Sequence, residues 1–374
     1  MKALKVLAQF CLVLLMLSAG SCTQQNPSAP SREIVFAIGQ MPLNLDPRYA
    51  TDAASERVNR LVYQSLVDFD AQSKPMPSLA TWVEVSPTLF RFKLNKNRVL
   101  FHNQTPLTAN DVKATYDSLT TLKDSPNTAE FSNVKNITVI DNDTVEFQLN
   151  QADKHFPAKL IIGILPAKLI AENADFSHAP VGNGVLKFVS WQNKLTLQRD
   201  NDGQKISLIE VKDPTVRVLK LLHGEVDLLQ GELPPELVKY LQTKPEVNVE
   251  TSIGANFSYL GLNFKNPILQ NLKVRQAISR AIDRKQIIAK AMIQLSREAD
   301  MILPPEHYTN QNKEASATDD YNPALAKQLL QEAGIRLPLK LVYKTSTDAQ
   351  RVRFATILQA QMAKAGIDLE IRSL

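Results

Sequence analysis

Alternation of apolar and polar residues predicts β-strands along much of the chain. In Leu89–Leu94 the polar residues Arg91 and Lys93 alternate with apolar neighbours, which is typical of a strand with one face in water. The segment Glu33–Ile38, in which five apolar residues follow the glutamate, predicts a buried strand instead. The same reasoning predicts further strands at residues 145–149, 185–189, 195–197, 206–211 and 339–343.

A helical period follows the strand at Leu89–Leu94. Val112, Tyr116 and Leu119 recur at every third or fourth position, which puts them on one face of a helix. Thr108, with Asp111 three residues later, resembles a capping box and predicts where this helix begins.

Helix ends are also marked further along the chain. A short helix is predicted between Asn322, which would cap it, and Gly334, which lies past its end. Pro323 in the first turn agrees with this start. A second helix is predicted from the apolar stripe of Val274, Ile278 and Ala281, and a third is predicted to begin at Asp283 and Gln286. A further helix is predicted over residues 348–365. Gly366 ends it, and a strand is predicted at 367–371. Strands and helices that mix without strict βαβ repetition predict an α/β protein with more than one domain.

Residues 1–21 are predicted to be a secretory signal peptide. Lys2 and Lys5 precede an apolar stretch at residues 6–17, and small residues then lead to Cys22. The sequence Ala-Gly-Ser-Cys resembles the bacterial lipobox. We therefore expect lipidation of Cys22 and anchoring in a membrane, with residues 22–32 as a polar tether. An ordinary cleaved signal with a cysteine nearby is the alternative.

Composition narrows the possible chemistry. The 43 lysines and arginines exceed the 38 acidic residues only slightly, and this scattered excess does not indicate nucleic-acid binding. One of the two cysteines, Cys11, lies in the predicted signal peptide, so no internal disulfide is expected. The sequence contains no zinc-protease, serine-hydrolase or phosphate-loop motif, and its five histidines are far apart. We therefore predict no catalytic residue, no metal site and no cofactor.

Several segments, taken in chain order, resemble the motifs of one protein family. They are residues 45–47, 61–67, 79–82, 90–112, 181–191, 223–227 and 263–284. The densest match is at residues 90–112, which end in Thr-Pro-Leu-Thr-Ala-Asn-Asp-Val. The family is bacterial extracellular solute-binding protein family 5, which contains the oligopeptide, dipeptide and nickel receptors of ABC importers. Residues 61–67 are similar to a helix of that family.

The resemblance implies an α/β fold, the two-lobed periplasmic binding protein of type II, similar to cluster C. Lobe I is expected at residues 33–253, with an inserted subdomain at about 67–180. A crossover at 254–262 then leads into lobe II at 263–374. In the family, lobe II continues further and the chain returns to lobe I, so the resemblance implies that this chain is truncated at its C-terminus.

The resemblance also implies a receptor and not an enzyme. An oligopeptide or dipeptide would lie between lobes that close on it, and the closed form would dock on an ABC permease in the inner membrane. The lipid would keep the chain in the periplasm or elsewhere in the cell envelope. The residues expected to face the cleft are Gln40, Met41, Asn44, Asn183, Gly184, Asn256 and Tyr259. For each of them a turn or packing role is the alternative.

Other hypotheses stay open from the sequence. A chain with an unfinished second lobe would expose apolar edges, and it would then be a non-binding envelope lipoprotein, a remnant of a receptor. A hydrolase or metal protein would show turnover or bound metal after purification. Within the receptor hypothesis, a murein fragment or a nickel complex is the alternative ligand to a peptide.

Overall fold

The computed structural model describes residues 32–98, 100–122, 124–231, 233–252, 254, 256–299, 301–310 and 320–374. The predicted signal peptide, Cys22 and nearly all of the predicted tether lie outside this part of the chain. Within the described residues, no helix combines the length and the apolar character needed to cross a bilayer.

Strands and helices are distributed along the whole described chain. The strands are β1 (Ile34–Ile38), β2 (Val67–Phe69), β3 (Pro75–Pro77), β4 (Ala80–Ser86), β5 (Leu89–Leu94), β6 (Val134–Asp141), β7 (Thr144–Leu149), β8 (Leu186–Trp191), β9 (Leu195–Arg199), β10 (Lys205–Glu210), β11 (Leu228–Leu229), β12 (Leu339–Thr345) and β13 (Ile367–Ser373). The α-helices are α1 (Ala53–Val62), α2 (Ala109–Thr121), α3 (Ala167–Ala171), α4 (Pro214–Leu222), α5 (Pro235–Leu241), α6 (Pro267–Gln270), α7 (Leu272–Arg280), α8 (Arg284–Lys290), α9 (Pro323–Glu332) and α10 (Ala349–Lys364). Every strand predicted from alternation is confirmed, with ends shifted by no more than two residues.

A five-stranded sheet in the order β11-β1-β10-β9-β8, together with α1, forms what we call the mixed-sheet unit. β1 is parallel to both neighbours: Ile34 lies opposite Ile206 of β10, and Phe36 lies opposite Leu228 of β11. β9 and β8 continue the sheet in antiparallel pairing. The carboxyl ends of β1, β10 and β11 therefore meet at one edge of the sheet.

A second sheet, antiparallel in the order β4-β5-β7-β6, forms the antiparallel unit with α2. Phe90 and Phe92 of β5 and Phe147 of β7 are buried, whereas Arg91 and Lys93 are exposed, so the predicted one-sided strand is confirmed. The ring of Phe147 meets the ring of Phe92 edge-on, with 5.5 Å between centroids. Such aromatic pairs add to the free energy gained from apolar burial alone.

Helix α2 closes the other side of this aromatic core. The predicted apolar face is confirmed, because Val112, Tyr116 and Leu119 are fully buried. The predicted capping box is confirmed as well: the Asp111 carboxylate accepts a hydrogen bond from the Thr108 amide at 2.8 Å. Local sequence signals therefore determine both the start and the orientation of this helix.

The C-terminal unit consists of α6–α10 and the parallel pair β12 and β13. Its core contains the predicted stripe of Val274, Ile278 and Ala281. Asn322 caps α9 by accepting the Leu325 amide at 2.9 Å, and Asp283 caps α8 through the Gln286 amide at 2.8 Å. The helix boundaries predicted in this region are thus confirmed.

One local prediction was wrong. Residues 61–67 were expected to be helical, but α1 ends at Val62 and β2 begins at Val67. The physical reason is tertiary: the Val62 carbonyl accepts the Gly184 amide at 2.8 Å, so another segment occupies the position where the helix would continue.

Candidate functional site

The edge where β1, β10 and β11 end is the first candidate for a binding site. In open α/β sheets, ligands bind outside the carboxyl ends of parallel strands, where the connecting loops diverge. Here the three strands end at Ile38, Glu210 and Leu229. The loop at residues 39–44 leaves from this edge, and it contains three of the residues expected to bind ligand.

The loop at 39–44 is held in place by α1 and β10. The amides of Leu43 and Asn44 both donate to the hydroxyl of Ser55, at 2.9 and 3.1 Å. The Met41 amide donates to the carboxylate of Glu210 at 3.4 Å.

The side chains of this loop differ in accessibility. Gln40 is exposed and Leu43 is 71% exposed. Met41 packs partly against the core of the mixed-sheet unit, and the side-chain oxygen of Asn44 accepts a hydrogen bond from the Asp46 amide at 2.8 Å. Of the three residues expected to bind ligand, Gln40 therefore has the most accessible side chain.

Asn183 and Gly184 lie against the C-terminal end of α1. Asn183 is buried, and its side-chain oxygen accepts a hydrogen bond from the backbone amide of Gln64 at 2.9 Å. Its side-chain nitrogen donates to the side-chain oxygen of Gln64 at 3.4 Å. A Cβ on Gly184 would come within 2.3 Å of the Leu61 carbonyl oxygen, so only glycine fits this close approach. These contacts account for both residues as packing groups. Their role in ligand binding stays a prediction.

His102 belongs to the same contact. Its backbone amide donates to the Gly182 carbonyl at 2.8 Å, and its Nε2 lies 3.1 Å from the Gly184 carbonyl. Its Nδ1 is buried without a hydrogen-bond partner among the described residues. Burial lowers the pKa of the imidazole below its ordinary value. His102 is therefore neutral at pH 7 and donates from Nε2, a structural role that links residues 182–184 to the antiparallel unit.

Asn256 and Tyr259 lie on the segment 256–262, which joins the mixed-sheet unit to the C-terminal unit. Asn256 is exposed, and Tyr259 is 78% exposed. The hydroxyl of Ser258 accepts a hydrogen bond from Arg351 of α10 at 3.1 Å. Both predicted residues are accessible, whereas the segment itself is fixed to the C-terminal unit.

A second contact to α10 comes from α5. Glu236 in the first turn of α5 pairs with Arg353 of α10. The hydrogen bond from Arg353 lowers the pKa of the Glu236 carboxyl below its ordinary value. Because α5 follows β11, this pair lies on the connection that leaves the carboxyl edge of the sheet. The two residues are 117 positions apart, and no local motif marks such a pair, so this ion pair was not predicted from the sequence.

The predicted residues therefore form three groups with different neighbours. Two groups meet α1: residues 39–44 bind Ser55, and Asn183–Gly184 bind the last turn. Seven residues separate Ser55 from Val62, which is about 10 Å along a helix. The third group, Asn256 and Tyr259, contacts α10 through the intervening Ser258.

A pocket of about 480 Å³ lies elsewhere, beside the start of α8. Its lining includes Asp283, Arg284, Glu298 and Asp320, and none of the residues expected to bind ligand. Among the residues that the structure describes, no three histidine, cysteine or acidic side chains are grouped so that they could hold a metal ion. What the candidate site offers is main-chain groups, apolar side chains and the uncharged polar side chains of Gln40 and Asn256.

Comparison with known proteins gives a consistent result. A family model described as "Bacterial extracellular solute-binding proteins, family 5 Middle" matches residues 74–374. The chain is similar to the oligopeptide-binding protein AppA of Bacillus subtilis, with 24% identity over 417 residues, 98% of this chain and 75% of that protein. It is also similar to di/tripeptide-binding protein 1 of Pseudomonas aeruginosa, with 25% identity over 92% of this chain and 72% of that protein. The chain thus spans about three quarters of the length of these relatives.

Solved structures agree with the sequence comparisons. The periplasmic binding protein DppA of Helicobacter pylori, solved with the peptide STSA, matches with a TM-score of 0.75 and 26% identity, over 91% of this chain and 73% of that one. NikA of Brucella suis, solved with Fe(III)-EDTA, matches with a TM-score of 0.80 and 22% identity, over 91% of this chain and 75% of that one. At that identity NikA supports the fold alone, which is the two-lobed α/β architecture of periplasmic binding proteins.

Proposed function

Because the chain belongs to the bacterial extracellular solute-binding proteins of family 5, we propose that it captures peptides in the cell envelope and delivers them to an ABC permease in the inner membrane. The observation that carries the proposal is the similarity, over 91% of the chain, to a binding protein solved with a peptide. The anchored loop at the carboxyl edge of three parallel strands supports it. The chain acts by binding and release, without turnover of the ligand.

In this proposal, residues 33–253 form lobe I, with an inserted subdomain at about 67–180. Residues 254–262 form the crossover, and residues 263–374 belong to lobe II. The separate hydrophobic cores of the antiparallel unit and the C-terminal unit support this division. The ligand lies between the lobes and contacts Gln40, Met41 and Asn44 on one side.

The remaining proposed contacts are Asn183, Gly184, Asn256 and Tyr259. Of these, Asn256 and Tyr259 have the accessible side chains that direct contact needs. Asn183 and Gly184 would act through the backbone at the end of α1, because their own atoms are committed to packing.

We further propose that Cys22 is lipidated and that the lipid holds the receptor at the membrane near its permease. Several acyl chains, each contributing about 0.8 kcal/mol per buried CH₂, anchor a protein firmly. The polar residues 22–32 would then let the folded part reach the permease.

Isothermal titration calorimetry with the purified chain tests the proposal. Trialanine is the peptide probe, and the nickel–histidine complex is the comparison ligand. Saturable 1:1 binding of trialanine with a Kd of roughly 1 µM, equivalent to about −8 kcal/mol, is expected. Heat from the nickel complex alone would assign the receptor to metal uptake, and no heat from either ligand would favour a non-binding lipoprotein.

A further inference from the structure

Two aromatic rings stand next to each other on one side of segment 256–262. The ring centroids of Phe257 and Tyr259 are 5.7 Å apart, with 41° between the ring planes. Phe257 is 41% exposed and Tyr259 is 78% exposed. The next position on this side is Gly261, where an added Cβ would lie 3.6 Å from the Tyr259 ring. The side chains thus leave one face of the ring pair open to a ligand.

The opposite side of the segment is already committed. Leu260 and Leu262 pack against the core of the C-terminal unit. Ser258 is held by Arg351, as described above. Side chains of this segment therefore alternate between two sides, as in an extended chain. The two rings cannot turn onto the C-terminal core without breaking these contacts.

No backbone hydrogen bond joins residues 256–262 to another residue that the structure describes. Exposed amides and carbonyls bind water, which the main chain of a peptide can replace, and exposed rings gain free energy from an apolar partner. An extended peptide supplies both, because its main-chain groups and its side chains repeat with the same two-residue spacing.

We infer that Phe257 and Tyr259 are specificity-determining residues that select peptides carrying an aromatic side chain, which packs against this ring pair. The inference rests on the proposed function, since it names the class of peptide that the receptor prefers. A third ring meets the pair at centroid distances of 4.5–7 Å in edge-to-face or offset geometry. The gain from such packing corresponds to about a tenfold preference over a methyl side chain.

Calorimetry with two tripeptides tests the inference on the full chain. The probes are Ala-Phe-Ala and Ala-Ala-Ala, and the measured quantity is the ratio of their Kd values. The variants are Tyr259→Ala, Phe257→Ala and the conservative Tyr259→Phe. Phe264→Ala is the matched control, because Phe264 is an exposed aromatic residue nearby whose ring is occupied by Arg275, 4.9 Å from its centroid.

The wild-type protein should bind Ala-Phe-Ala about tenfold more tightly than Ala-Ala-Ala. Tyr259→Ala and Phe257→Ala should reduce the ratio to about twofold or less, whereas Tyr259→Phe and Phe264→Ala should keep it. If both peptides bind but the ratio is unaffected by Tyr259→Ala, the inference is wrong and the proposed function stands. If neither peptide binds, both are wrong.

Sedimentation of the unliganded protein provides a second check. The unliganded protein should sediment as a monomer, in which both rings are exposed to solvent. A dimer that Tyr259→Ala dissociates would show that a second copy of the chain covers the ring pair, and this would overturn the inference.

Discussion

Gly184 is the residue where the need for glycine is sharpest, because a Cβ there would press on the Leu61 carbonyl oxygen at 2.3 Å. We predict that Gly184→Ala destabilises the protein by about 1–3 kcal/mol, since either the end of α1 or residues 182–184 must move. Urea unfolding measures the change. Gly254→Ala is the control and should lower the free energy of unfolding by about 0.5 kcal/mol or less, because the nearest described atom lies 4.0 Å from its added Cβ. Equal effects of the two variants would contradict the packing argument.

His102 should make the stability pH-dependent. Its folded-state pKa is depressed by burial, so the unfolded chain binds the proton more readily. The stability that neutral His102 contributes is therefore complete above its unfolded pKa of about 6.5 and is lost as the pH falls through the lower folded value. The hydrogen bond to the Gly184 carbonyl and the charge of Asp200 both oppose this lowering of the pKa, and the charge of Lys187 adds to it.

The measurement is the midpoint of urea unfolding between pH 7.5 and 5 for the wild type and His102→Gln. The variant should lose part of the pH dependence in this window. His307→Gln, at a histidine whose Nδ1 lies 2.8 Å from the Thr309 hydroxyl, is the control and should keep it. Identical slopes for wild type and His102→Gln would show that the His102 imidazole does not contribute.

At the scale of elements, the start of α2 is held by one carboxylate. Asp111 accepts hydrogen bonds from the amide and hydroxyl of Thr108, and its other oxygen accepts the Ala167 amide of α3 at 2.8 Å. Asp111→Ala leaves these partly buried donors without their partner and should lower the free energy of unfolding by about 2–4 kcal/mol. Asp117→Ala on the same helix, at an exposed carboxylate paired with Lys113, should cost about 0.5 kcal/mol or less. A thermal or urea unfolding series that ranks Asp117 above Asp111 would refute this account.

Strands whose residues alternate and helices that carry caps could be predicted from the sequence, whereas an edge strand without alternation could not. β5 was found because its buried residues alternate with charged ones. β4 was missed, since Val83 and Val85 are exposed at 57% and 47% although they are apolar. The end of α1 was also beyond local reasoning, because residues 182–184, more than a hundred positions away, determine it.

For the candidate site, the family resemblance predicted which segments face the cleft, and the structure showed which residues contact those segments. The segment around Tyr259 was expected to face the cleft, but no pattern pointed to its bond with α10 or to the pair of Glu236 and Arg353. Such contacts depend on how separate units meet. A single sequence contains no periodic signal for them.

For the whole molecule, the proposed attachment to the membrane depends on Cys22. Cys22→Ser should release the exported chain into the soluble periplasmic fraction, because the acyl chains that anchor it can no longer be added. Fractionation of bacteria that express the full chain, followed by immunoblotting, measures the distribution. A wild-type chain that is already soluble would show that Cys22 carries no lipid.

We propose that a peptide binds between the carboxyl edge of the mixed-sheet unit and segment 256–262. Hydrogen–deuterium exchange of the full chain, with and without saturating Ala-Phe-Ala, tests it most directly. We predict slower exchange in residues 39–44 and 256–262 on binding, with little change at the pocket beside α8. Protection confined to residues 282–289 at that pocket, or none at all, would contradict the claim.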